Sequence, residues 1–152
     1  MDPLIELALA VKAAQRELEQ RMNDAVRPLG VTAAQADAIV VIGRAGPLSL
    51  KELGDLLIAE SGHPSRLVDR LVEAGLVQRR PADEDRRRLV LALTAKGRRL
   101  EARIDEARQG VVALARELFG DRDVTPALEL LTDLLQFSSY AELLERRRAL
   151  DP

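Results

Sequence analysis

A mainly α-helical fold with one small β-hairpin is what this 152-residue sequence predicts, and three observations predict it. Leu, Ala, Arg and Glu dominate the composition, and all four favour helix. Apolar residues recur at three-and-four spacing along most of the chain. Only around residues 76–93 does the period shorten to two, the mark of a strand.

The elements follow in order. Leu4, Leu7, Ala8, Val11, Ala14, Leu18, Met22, Ala25 and Val26 share one face of a helix over residues 4–29, which Gly30 can end in a left-handed cap. Thr32-Ala33-Ala34-Gln35 is a capping box and opens a second helix to Gly43 or Arg44. Gly46-Pro47 breaks the chain, and Ser49-Leu50-Lys51-Glu52 opens a third helix to Ile58 or Ala59. With Ser61 as N-cap, a fourth helix runs from Gly62 to Ala74, Pro64 sits at its third position, and Gly75 stops it. Leu76-Val77-Gln78-Arg79-Arg80 reads as a strand, and residues 81–87 as a charged turn. Residues 88–93 read as a returning strand with Leu89, Leu91 and Leu93 on one face. Thr94 caps a long helix to Leu118 or Phe119, weakened by Gly97 and Gly110. Thr125-Pro126 opens one last helix to Arg148.

The composition excludes much. Without Cys there is no disulfide, thiolate nucleophile or thiol redox switch. With a single His as well, a zinc site is disfavoured. No metal, Walker or Gly-rich phosphate motif is present, so no cofactor and no enzymatic activity are expected. Two Phe and one Tyr are too few for a base-stacking RNA platform. No apolar run approaches the roughly 20 residues of a membrane span. Met1-Asp2-Pro3-Leu4 has neither the basic start nor the cleavage site of a signal peptide, so the expected location is the cytoplasm.

The net charge of −2 hides an asymmetry: residues 60–103 carry +4, and the remainder −6. A basic centre in an acidic helical body suits a DNA-binding unit. Two short helices, a tight turn between them and a hairpin after them is the order of a winged helix-turn-helix. On its second helix Leu67, Val68, Leu71 and Val72 form the inward stripe, and His63, Ser65, Arg66, Asp69 and Arg70 face away. Arg66 and Arg70 are one turn apart and can point into a major groove, or pair with Asp69 or Glu73. Asp83-Glu84-Asp85-Arg86-Arg87-Arg88 puts three arginines on a projecting tip that can enter a minor groove or grip phosphates. Asp85 can hold one of them in place by a charge-assisted bond, or soften non-specific binding.

These segments resemble the MarR-type transcriptional regulators. The resemblance rests on Asp85-Arg86-Arg87, on Leu91-Ala92-Leu93-Thr94-Ala95-Lys96-Gly97, and on the run from Arg66-Leu67-Val68-Asp69-Arg70-Leu71 to Gly75-Leu76-Val77, and extends from Leu4 to Leu144. It implies a homodimer bound to double-stranded DNA at a palindromic operator. Residues 1–30 and 108–148 would supply the dimerisation helices, and residues 31–107 the winged helix-turn-helix, its wing at 76–93. By the resemblance Ser61, Gly62, His63, Ser65 and Arg66 take major-groove positions, Arg86 enters the minor groove, and Arg87 contacts phosphate or a base edge. A small effector often acts on such proteins from a pocket between the two parts. One departure stands out: Ile58-Ala59-Glu60 replaces the family's common Gly-Val-Ser or Gly-Leu-Thr, and Gly62, His63 and Pro64 replace small polar residues.

A repressor released by a lipophilic or phenolic compound, or with no effector, is the function these readings favour. The other reading is a winged-helix interaction module with weak or no DNA binding. His63 could read a base, sense pH or sit idle; Phe137 and Tyr140 suit a dimer core; Arg146-Arg147-Arg148 suits a solvated helix end.

Overall fold

The computed structural model describes residues 1–58 and 63–151. In order it has α1 (Pro3–Val26) with a 3-10 turn at Arg27–Leu29, α2 (Ala33–Ala45), α3 (Leu50–Leu56), α4 (Pro64–Glu73), β1 (Val77–Pro81), β2 (Leu89–Leu93), α5 (Ala95–Phe119), α6 (Thr125–Leu135) and α7 (Ser139–Leu150). Among the described residues no single helix is long and apolar enough to cross a membrane.

The helix starts follow local chemistry. Thr32 and Ser49 both close capping boxes, with Gln35 and Glu52 reaching back to the cap N–H groups. Thr94 Oγ1 accepts the Gly97 N–H at 3.0 Å and starts α5, which runs unbroken through both glycines. Gly97 is there for contact: a Cβ would overlap the carbonyl oxygen of Leu76, where α5 presses on the corner between α4 and β1. Gly30 and Gly75 adopt φ of +79° and +71°, as chain reversals after a helix demand.

Five expectations need correction. α3 stops at Leu56, because Leu57 is already extended. α4 starts at Pro64, in the first turn where its missing N–H costs nothing, and His63 is its N-cap without a side-chain bond. The expected cap at Ser61 and start at Gly62 lie outside the described residues. The last helix is two helices: Ser138 turns the chain by donating to the Leu135 carbonyl at 2.8 Å, then accepts the Tyr140 N–H to cap α7. Thr125 is the first residue of α6 rather than its cap, its N–H taken by Asp123 at 2.9 Å. Finally, β2 does not alternate. Leu89 is exposed, while Val90, Leu91, Ala92 and Leu93 are all buried. The strand packs against both α2 and α5, while β1 pairs with it in antiparallel register from Val77↔Leu93 to Pro81↔Leu89 and Leu48 bridges Leu91 on its other edge.

The core gathers around α2. Ala36 and every residue from Ala38 to Ile42 are buried, against Leu53, Val68, Leu71, Val77, Leu91 and Ile104. A helix apolar on all sides must be enclosed, and this one is. Charged pairs tie its rim to α5, α7 and the residue after α7. Asp37 accepts Arg108 at 2.9 Å and Arg147 at 2.6 Å. Arg44 pairs with Asp105 at 2.9 Å and also with Asp151. Arg147 is thus a tether across the fold rather than part of a solvated helix end.

Candidate nucleic-acid interface

Two exposed elements carry the residues singled out from the sequence, α4 and the tip of the β1–β2 hairpin. On α4, Val68 and Leu71 are buried and Leu67 and Val72 half-buried, which turns Ser65, Arg66, Asp69 and Arg70 to solvent. Arg66 and Arg70 have no carboxylate partner among the described residues. Asp69 is taken instead by Arg79 of β1, at 2.5 Å, so the helix is stapled to the hairpin and its two arginines stay available. His63 is exposed at the start of α4. Ser61 and Gly62 lie outside the described residues.

The tip is closed by backbone bonds. The Ala82 N–H donates to the Arg88 carbonyl at 2.8 Å, and the Arg88 N–H to the Asp85 carbonyl at 3.0 Å. Asp85 holds the turn through the backbone: its Oδ1 accepts the Arg87 N–H at 3.0 Å. Among the described residues no arginine side chain binds it, contrary to the sequence expectation. Arg80 pairs with Asp83 at 2.8 Å, and Arg88 with Glu52 at 3.1 Å. Arg86 and Arg87 project without a carboxylate partner among the described residues. Four arginines, 66, 70, 86 and 87, therefore stand outside any ion pair among the described residues.

The acid groups are placed differently. Accepting the Ser49 backbone N–H and hydroxyl, with Arg88 adding to the effect, holds the Glu52 carboxyl below its ordinary range. Burial pushes Glu101 up, and neighbouring Asp105 adds to it. Its carboxylate lies on Gly43, facing α2 rather than the interface.

Two cavities lie at other junctions of the fold. One, of about 320 Å³, lies at the α1–α2 junction, with Leu29, Val31, Leu76 and Leu100 as its floor and Lys96, Arg99 and Arg103 around it. The Lys96 amine donates to the Ala74 carbonyl at the end of α4, at 2.8 Å. The other, of about 500 Å³, lies between α3 and α7, and its charges are mutually paired, Lys51 with Asp55 and Arg146 with Glu142. Sequence reasoning missed the roles of Glu52, Arg79 and Leu48. Glu52 was legible only as a cap, and nothing local marks Leu48 as the partner of Leu91.

Known proteins share this arrangement. Residues 31–97 match the winged helix DNA-binding domain family. The organic hydroperoxide resistance transcriptional regulator of Bacillus subtilis is 24% identical over 131 residues, covering 86% of this chain and 89% of that protein. The multiple antibiotic resistance protein MarR of Escherichia coli is 31% identical over 94 residues, 62% of this chain and 65% of that protein. The crystal structure of a mutant MarR from E. coli complexed with operator DNA superposes with a TM-score of 0.75 at 26% identity, covering 88% of this chain and 96% of that one.

Proposed function

Because the chain belongs to the MarR family of DNA-binding, winged helix-turn-helix transcriptional regulators, we propose that it acts as a homodimeric repressor on a palindromic operator. Each protomer sets α4 in a major groove and its wing tip in the adjoining minor groove. Residues 1–30 and 108–148 form the dimerisation part and residues 31–107 the reading part. Arg66 and Arg70, with His63 and Ser65, face base edges, and Arg86 and Arg87 grip the minor groove and its phosphates; Ser61 and Gly62, also expected there from the sequence, lie outside the described residues. The observation that carries this reading is the set of four arginines without carboxylate partners among the described residues, Arg66 and Arg70 on α4 and Arg86 and Arg87 on the wing tip.

The operator complex of the E. coli relative supports DNA as the ligand. A promoter-bound role fits a cytoplasmic protein. The cavity at the α1–α2 junction is a candidate effector site, since it touches both the helix entering the reading part and the end of α4. A compound that prefers a non-operator spacing of the two α4 helices would lower DNA affinity by its differential affinity. Without Cys, this chain cannot sense an oxidant through a thiol, whatever its relative's part in hydroperoxide resistance.

The test is binding to DNA from its own promoter region, against unrelated DNA, over a salt series. Tight selective binding with a steep salt slope is expected, each phosphate contact contributing about −0.9 to that slope. Arg86→Ala should weaken it and flatten the slope. Equal, weak binding to both DNAs would favour the interaction-module reading.

A further inference from the structure

We propose that Glu52 and Arg88 are positioning residues for the wing: their ion pair anchors the foot of the tip loop to the start of α3, and so sets where Arg86 and Arg87 stand relative to α4. Arg88 is the residue at which the loop rejoins the ladder. Its carbonyl and its N–H close the loop on Ala82 and Asp85. Its guanidinium reaches out of the hairpin to both carboxylate oxygens of Glu52, at 3.1 and 3.3 Å.

Glu52 is a firm anchor point because it is itself held. Its Oε2 accepts the Ser49 N–H at 2.7 Å while its own N–H donates to Ser49 Oγ at 3.2 Å. Just before that cap, Leu48 exchanges both backbone hydrogen bonds with Leu91, at 2.7 and 3.3 Å. The start of α3 therefore grips β2 at two points. The Leu48–Leu91 bridge fixes the buried part of the strand, and the ion pair fixes the exposed end beside the tip. The Asp69–Arg79 pair holds the other strand to α4. Arg88 thereby differs from Arg86 and Arg87: its donors are spent on a carboxylate, and with Glu52 it adds no net charge to the surface.

The geometry stands alone, and its consequence for DNA rests on the function proposed above. Glu52→Gln separates the two duties of the side chain, because Gln closes a capping box as well as Glu and α3 keeps its start. Glu52→Gln and Arg88→Gln should each weaken operator binding by about two- to fivefold, the range of an exposed ion pair. The double variant should be no weaker than either single one, Arg88→Lys should recover part of the loss, and the salt slope should stay that of the unaltered protein. In the free protein, backbone amide order parameters at residues 83–87 should fall in Glu52→Gln, with helical content retained and at most a small fall in Tm. Tighter binding by Glu52→Gln, together with a slope flattened by about 0.9 in Arg88→Gln, would make Arg88 a phosphate contact and overturn the proposal. Additive losses, or unchanged order parameters, would overturn it too. Failure of the unaltered protein to bind DNA would sink the DNA reading alone, and the order parameters would still judge the anchor.

Discussion

Between Val26 and Ile104 the chain encloses most of its apolar side chains; outside that stretch, Leu143 apart, it leaves most of them open. Ile39, Ile42, Leu53, Leu71 and Ile104 are all 1% exposed or less. On α1, Leu4, Ile5, Leu9 and Leu18 stand in solvent, as do Val112, Leu114 and Leu118 on α5 and Leu128, Leu130 and Leu134 on α6. Phe137, in the turn after α6, is 95% exposed. Both regions are built of good helices, and both starts and stops are chemically sound. The difference lies in tertiary closure. The enclosed region is complete in one chain, whereas α1, the second half of α5 and α6 carry more apolar surface than a monomer normally shows. A second copy of the same chain is the occupant that fits the proposed function, since a twofold dimer covers like surface with like.

The largest expected effect comes from breaking that cover. Leu134 is 69% exposed in the single chain, so Leu134→Asp removes almost no packing from the protomer. In a dimer that buries α6, the same change would put an unpaired charge at the interface, at a cost of about 3–5 kcal/mol, or more than a hundredfold in the dimer dissociation constant. Sedimentation should show monomers at micromolar concentration with helical content retained, and operator affinity should collapse with the dimer. Dimers as stable as before would place the interface elsewhere.

A smaller effect separates the two regions by their glycines. A Cβ at Gly97 would strike the Leu76 backbone, and one at Gly110 would meet nothing within 4 Å. Gly97→Ala should therefore destabilise by about 1–3 kcal/mol in chemical denaturation, the cost of overpacking, despite the better helix propensity of Ala. Gly110→Ala should gain up to about 1 kcal/mol from propensity alone. A loss at Gly110 would mean that the partner packs there.

These two glycines also show what the sequence could say. Thr32, Ser49 and Thr94 were legible as helix starts because a cap and its N–H lie within three residues, and so were the inward stripe of α4 and the Arg-rich tip. Both glycines looked alike in sequence, because the contact that distinguishes Gly97 comes from Leu76, across a hairpin. The break before α7 was hidden, since neither Gly nor Pro marks it; Ser138 was the one local sign. The Leu48–Leu91 bridge and the pairing of Asp37 with Arg108 and Arg147 join residues far apart in the chain, where local periodicity carries no information. The candidate site was read in part: Arg66, Arg70 and Arg86 stand exposed on the expected elements, but which of the neighbouring charges are already engaged is a tertiary fact.

The smallest effect probes the seam where α5 leaves the closed half. Glu101 lies there on Gly43 with Asp105 one turn on and Arg44 and Arg98 nearby, and Arg44 is already engaged by Asp105 and Asp151. Burial first, and then Asp105, raise its pKa above the ordinary carboxylate value. A folded pKa above the unfolded one means that the folded chain holds the proton longer. The stability this gives is present at acid pH and lost as pH rises from the ordinary value through the folded one. At neutral pH the ionised Glu101 is therefore a small burden, and Glu101→Gln should raise Tm by about 1–2 °C there, as a fraction of a kcal/mol does in a chain of this size. The gain should shrink to nothing as pH falls below the ordinary carboxylate range, where the native side chain is protonated as well. Leu71→Ala, deep in the enclosed core, offers the contrast: its loss of about 2–5 kcal/mol should not depend on pH in that window. A pH-independent gain at Glu101 would show that shape rather than charge limits the seam, and that its carboxylate is relieved by groups the single chain does not supply.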